Sequence, residues 1–221
     1  MSLPRPVAAV VFDMDGLLVD TETVMLAAME GAAAAIGREM PFAVFQRMVG
    51  LTHAQSDQIL IEHFGAGFVL EDFLTAVRQR VMTSFEAGVA LKAGVIELLD
   101  HLDEIALPRA ICTSSSRAAV DLHLGPSGVV PRFHHFVTKD VVVNGKPHPE
   151  PYLKAAAALG LDPRDCLALE DSHNGVRAAA GAGMMTIMVP DLLDPTEEMH
   201  GLCVRIARDL HEVHELLKAQ G

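Results

Sequence analysis

Short apolar runs that end on polar residues, separated by stretches of helical periodicity, restrict this chain more than any other feature. Residues 7–12 are a continuous apolar run stopping at Asp13, and similar runs recur at 109–113, 166–169, 186–189 and 204–207, with a weaker one at 136–138. A short run without alternation predicts a strand buried on both faces, as in a parallel sheet. Helical patterns at 95–102, 118–124, 152–159 and 210–219 lie between or after them. Strands alternating with helices predict an open α/β sheet with right-handed crossovers.

One segment departs from this alternation. From about residue 22 to 87 only helical signals occur: an Ala, Met and Leu-rich stretch over 25–36 stopping at Gly37, a capping box in which Thr52 precedes Gln55 and opens a helix to His63, and an apolar stripe over 70–85. The expected fold class is therefore α/β, a Rossmann-like open parallel sheet core formed by residues 1–20 and 88–221, with a helical domain of residues 21–87 inserted after the first strand. At 221 residues and 50% hydrophobic, the chain is large enough for a core and a small insert.

Composition narrows the partners. The formal net charge of -12 repels nucleic acid and anionic lipid, and no basic run offsets it. Cys112, Cys166 and Cys203 are odd in number and lack a Cys-x-x-Cys pair, which argues against a disulfide framework or a cysteine zinc site. No stretch reaches the ~18 apolar residues of a membrane span, and no signal peptide is read. The expectation is a cytoplasmic protein without a nucleic-acid or membrane partner, plausibly a monomer.

In open α/β sheets, ligands sit beyond the carboxyl ends of the strands. The first strand ends in Asp13-Met14-Asp15-Gly16, the second at Thr113 followed by Ser114, Ser115 and Ser116, and the fourth in Glu170-Asp171, while Lys146 stands in the loop Gly145-Lys146-Pro147. Each group alone has a bland reading: Asp-x-Asp as a turn, Glu170-Asp171 or the serines as helix caps, Lys146 as a surface charge. Their succession at strand ends points instead to one crevice. Four carboxylates there raise each other's pKa, and a hard divalent cation held by oxygen ligands, Mg2+, resolves the repulsion. Lys146 adds positive charge, Thr113 a hydroxyl donor, and the amides of Ser114 and Ser115, near a helix start, favour an anion. The pairs His211 and His214, and His134 and His135, have no carboxylate or cysteine partner at ligand spacing and read as solvated surface.

The segment from Asp13 to Glu22, Asp-Met-Asp-Gly-Leu-Leu-Val-Asp-Thr-Glu, resembles the first motif of the haloacid dehalogenase superfamily, and more closely its branch of sugar-phosphate phosphatases and beta-phosphoglucomutase. Thr113 matches the second motif, Lys146 in Gly-Lys-Pro-His-Pro-Glu-Pro the third, and Leu169-Glu170-Asp171-Ser172-His173-Asn174-Gly175 the fourth. The helical insert resembles the family's cap. The resemblance implies a Mg2+-dependent phosphatase acting on a small phosphorylated metabolite through an aspartyl phosphate. Asp13 is then the nucleophile, Asp15 the acid and base, and Lys146 and Thr113 the groups on the transferring phosphoryl oxygens. Asp13, the Asp15 main-chain carbonyl and Asp171 hold the metal, with Glu170 acting directly or through water. Retention of Asp15 distinguishes the chain from the dehalogenases. A phosphohexomutase is the alternative. Where the mutase pattern has a His and a phosphate-gripping Arg, Met25 and His53 stand here, which favours hydrolysis, although Arg78 or Arg80 could supply the grip. A non-catalytic binding module is disfavoured by the intact set of acids. Glu22 and His53, with Thr52, are candidate substrate contacts from the insert.

Overall fold

Residues 3–49, 51, 53–86 and 88–220 are described by a computed structural model of the chain. Two compact units emerge: Met1–Asp20 together with Ala90–Gly221, and Thr21–Val89.

The first unit is built on a parallel six-stranded sheet. Its strands are β1 (Ala9–Phe12), β2 (Arg109–Cys112), β3 (His135–Val137), β4 (Cys166–Glu170), β5 (Met185–Met188) and β6 (Arg205–Ile206), in spatial order β3-β2-β1-β4-β5-β6. Every residue of β1, β2, β4 and β5 is buried, as uninterrupted apolar runs require of strands covered on both faces. The chain proceeds outward from β1 through β2 to β3, then crosses back to β4 on the other side of β1. That reversal beside β1 is the switch point where a crevice opens at the strands' carboxyl ends.

The helical unit comes next in the chain. It comprises α1 (Thr21–Ala35), α2 (Phe42–Gln46), α3 (His53–Phe64) and α4 (Leu70–Glu86). Phe73, Val77, Val81 and Phe85 recur at four-residue intervals and form the buried stripe of α4, packed against α1, whose own buried positions are Ala28, Ala32 and Ala33. Phe64, Phe68 and Phe73 cluster with ring centroids 4.6–5.4 Å apart. The expected start of α1 at residue 25 is four residues late, and the five-residue α2 carries too short a pattern to be read. The Thr52 cap lies outside the described residues.

Back in the first unit, α5 (Val95–Glu104), α6 (Arg117–Leu124), α7 (Glu150–Leu159), α8 (His173–Gly181), α9 (Glu197–Leu202) and α10 (Leu210–Lys218) complete the fold. Leu98, Leu99 and Leu102 of α5 are wholly buried, each contributing about 1.5–3 kcal/mol of burial. Small residues occupy both sides of one sheet–helix contact, Ala9, Ala110 and Ala168 on the strands, Ala155 and Ala156 on α7, and Ala178 and Ala179 on α8, which lets these helices pack close. Among the described residues no helix is long and apolar enough to cross a membrane.

Candidate active site

Asp13 follows β1 directly, and its amide still donates to Leu169 O of β4 at 3.0 Å, so its carboxyl group stands at the mouth of the switch-point crevice. The chain then turns tightly: Leu18 N donates to Met14 O at 2.8 Å and Gly16 N to Val19 O at 3.0 Å. Gly16 has φ +82°, and a Cβ there would overlap the carboxylate of Asp171. The glycine therefore both permits the turn and admits Asp171 against its backbone.

Lys146 lies at the centre of the cluster. Its Nζ donates to Asp13 Oδ1 at 2.5 Å, Glu170 Oε1 at 2.6 Å and Cys112 O at 2.9 Å. All three ammonium donors are thus used on a side chain that is only 7% exposed. Glu170, fully buried, also accepts from Tyr152 Oη at 2.5 Å and Ser172 Oγ at 3.1 Å. Gly175 makes room for it, since a Cβ on that residue would occupy the Glu170 carboxyl group. Ser172 caps α8, accepting from Gly175 N. Lys146 precedes Pro147 through a cis peptide bond.

Burial pushes the Asp13 carboxyl up to about 7; Lys146 opposes the rise, whereas Glu170 and Asp15 add to it. Burial also works against the ammonium of Lys146, but the attraction of Asp13 and Glu170 prevails and holds its pKa well above the usual lysine value. One ammonium thus faces two carboxylates with a third, Asp171, beside them. Burial raises the Cys112 thiol to about 12, leaving it an inert neutral hydrophobe.

Asp13, Glu170 and Asp171 each present an oxygen within 4.8 Å of the others. The donor set is all oxygen, anionic in excess of its single ammonium, and enclosed by the turn that Gly16 permits. These features fit a hard divalent cation. Asp13 and Asp171 are the more available ligands, because both Glu170 oxygens already accept from Lys146, Tyr152 and Ser172.

Asp15 lies on the other side of the turn. Its Oδ2 accepts from Ser115 Oγ at 2.7 Å, and its Oδ1 is 3.1 Å from His123 Nδ1. Thr113 is buried at the end of β2, and its Oγ1 accepts from Ser115 N at 3.0 Å. The Ser115 amide, expected to face an anion, is thus used within the cluster, whereas Ser114 is exposed. Asp13, Asp15, Thr113, Ser114, Ser115, Glu170 and Asp171 lie at or just after the carboxyl ends of β1, β2 and β4, and Lys146 joins them from the loop before α7; all belong to the first unit. Glu22, in the first turn of α1, and His53, the first residue of α3, belong to the helical unit.

Sequence reasoning passed over four contributors. Tyr152, the one tyrosine of the chain, read only as a helix position. Gly175 was named only as the end of the fourth motif, with no partner assigned to it. His123 occupies an otherwise apolar face with Val120 and Leu124. Asp191 follows β5 by three residues and carried the same strand-end signal as the other acids. It pairs with Lys92 at 2.6 Å, and its Oδ2 lies 3.6 Å from where a Cβ on Gly16 would sit.

Known proteins resemble this chain in sequence and fold. A model of the haloacid dehalogenase-like hydrolases matches residues 7–183. A Drosophila melanogaster protein named "Probable pseudouridine-5'-phosphatase" is 37% identical over 194 residues, spanning 85% of this chain and 83% of its own. Hexitol phosphatase A of Escherichia coli is 32% identical over 180 residues, covering 80% and 81%. A haloacid dehalogenase family hydrolase from Deinococcus radiodurans, crystallised with phosphate and sodium, superposes with a TM-score of 0.84 at 27% identity, covering 97% of both chains. On the matched family model, the shared identity and the acidic cluster at the switch point, the chain belongs to the haloacid dehalogenase-like hydrolases.

Proposed function

We propose that this protein is a magnesium-dependent phosphatase that hydrolyses small phosphorylated metabolites, sugar or polyol phosphates foremost, through an aspartyl phosphate on Asp13. The observation that carries the reading is the buried Lys146 ammonium bridging Asp13 and Glu170 beside Asp171. Such a site, once a divalent cation offset its carboxylate excess, would present positive charge to a phosphate dianion while keeping a carboxylate oxygen as nucleophile. The names of the relatives, which include a hexitol phosphatase, support the substrate class.

In this mechanism the ionised carboxylate of Asp13 attacks phosphorus and the bond to the leaving oxygen breaks, with Asp15 donating a proton to that oxygen. Asp15 then takes a proton from the water that hydrolyses the acyl phosphate. Lys146 and the Thr113 hydroxyl stabilise the equatorial oxygens as charge develops. Asp13, the Asp15 main-chain carbonyl and Asp171 would hold magnesium, with Glu170 behind them orienting Lys146. When bound, the ion neutralises the carboxylate excess and polarises the phosphoryl group. Glu22 and His53 of the helical unit are the proposed contributors to substrate choice.

The test is phosphate release from a panel of phosphorylated sugars, polyols and nucleosides, with and without magnesium. Release that requires magnesium and disappears in Asp13→Asn is expected. Isomerisation of beta-glucose 1-phosphate to glucose 6-phosphate without phosphate release would replace hydrolysis by mutase chemistry, and no turnover of any phosphate ester would remove the reading.

A further inference from the structure

We propose that His123 is a positioning residue that, with Ser115, clamps the carboxylate of Asp15 for its acid and base role; this rests on the phosphatase reading above. A histidine on a buried helix face needs a polar partner. His123 is 8% exposed on α6, between the wholly buried Val120 and Leu124, and its Nδ1 lies 3.1 Å from Asp15 Oδ1 across 108 residues of sequence. An ionised carboxylate only accepts hydrogen bonds, so with Asp15 charged it is Nδ1 that carries the hydrogen. The second oxygen of Asp15 accepts from Ser115 Oγ at 2.7 Å.

Asp15 needs such a clamp. Its side chain is 32% exposed, and an acid that must meet a leaving oxygen within hydrogen-bond reach loses efficiency if its carboxyl group rotates freely. Both anchors come from one local structure. Ser115 is tied to Thr113 through its own amide, Ser116 caps α6 by accepting from Ala119 N, and His123 follows two turns later on the same helix. The group that holds the proton donor is thus continuous with Thr113, one of the residues proposed to face the phosphoryl oxygens.

The experiment uses leaving-group dependence. Phenyl phosphate needs its departing oxygen protonated far more than 4-nitrophenyl phosphate, whose phenolate leaves readily, although the two esters are similar in size. In the magnesium-loaded enzyme, His123→Leu should lower kcat/KM for phenyl phosphate at least about 10-fold more than for 4-nitrophenyl phosphate, within the 10²–10⁴ range of general acid contributions. His123→Asn, which keeps an N–H donor near the Nδ1 position, should restore the ratio to within about 3-fold of wild type, whereas His123→Gln should not, each read against this same range. The Asn and Gln pair decides the matter if the Leu variant fails to fold. An equal fall for both esters in the Leu and Gln variants, or no fall, overturns the proposal and leaves the phosphatase reading intact. A wild-type enzyme inactive on both esters and on the wider panel would fail the phosphatase reading and take this inference with it.

Discussion

At the residue scale, the cost of the site is concentrated in Asp13. Its folded-state pKa of about 7 lies above the ordinary 3.8, chiefly through burial. Between those values the folded protein binds more protons than the unfolded chain. The favourable contribution is therefore complete below about pH 4 and is lost as pH rises through about 7. In metal-free protein, thermal scans should show stability falling across this window from this group, and Asp13→Asn should remove that component and melt higher at pH 8. The same variant should lose phosphatase activity by at least about a thousandfold, since it removes the proposed nucleophile; near-normal turnover would show that another group attacks phosphorus. Gly175 makes a second prediction. Alanine there cannot share space with the Glu170 carboxyl group, so Glu170 and the Lys146 it holds must move. A displacement on the order of 1 Å costs about 10²-fold in rate, and Gly175→Ala should show a loss of that order in kcat; an unchanged kcat would place Lys146 outside the transition state.

At the element scale, the packing of α10 on α5 depends on a glycine. Gly94 caps α5 with φ +86°, and a Cβ on it would meet the main chain of α10 at His211 N, 2.5 Å away, and Leu210 C, 2.8 Å away. Both the conformation and the neighbour are unfavourable for alanine, and a helix backbone cannot yield as a side-chain tip can. Gly94→Ala should destabilise the protein by about 2–4 kcal/mol, roughly 5–15 °C in Tm, with little direct effect on the chemistry. An unaltered Tm would mean that α10 is free to shift. The wholly buried leucines of α5 were legible as a periodic stripe, but the role of Gly94 was not, because it depends on an element more than a hundred residues later.

For the whole molecule, the proposed cation site would couple binding to folding. A ligand bound only by the folded state stabilises it by about 2.7 kcal/mol at a hundred times its Kd. Magnesium should therefore raise Tm by several degrees near neutral pH, a chelator should reverse the rise, and Asp171→Asn should abolish it. A Tm indifferent to magnesium over millimolar concentrations would contradict the proposed ligand set. This readout is independent of turnover, so it separates a cluster that binds no cation from an enzyme tested on the wrong ester.

The alternation of buried apolar runs with helical periods by itself determined a parallel α/β sheet, because strands covered on both faces are predominantly apolar. The rule that ligands gather beyond strand carboxyl ends then singled out Asp13, Thr113 and Glu170-Asp171. Periodicity states which positions face inward, but not which residue of another element they meet there. Tertiary structure alone brought Tyr152 to Glu170, His123 to Asp15 and the missing side chain of Gly175 to a carboxyl group. These pairings depend on how far each crossover helix rotates and slides over the sheet, a consequence of side-chain volumes packing together rather than of any local pattern.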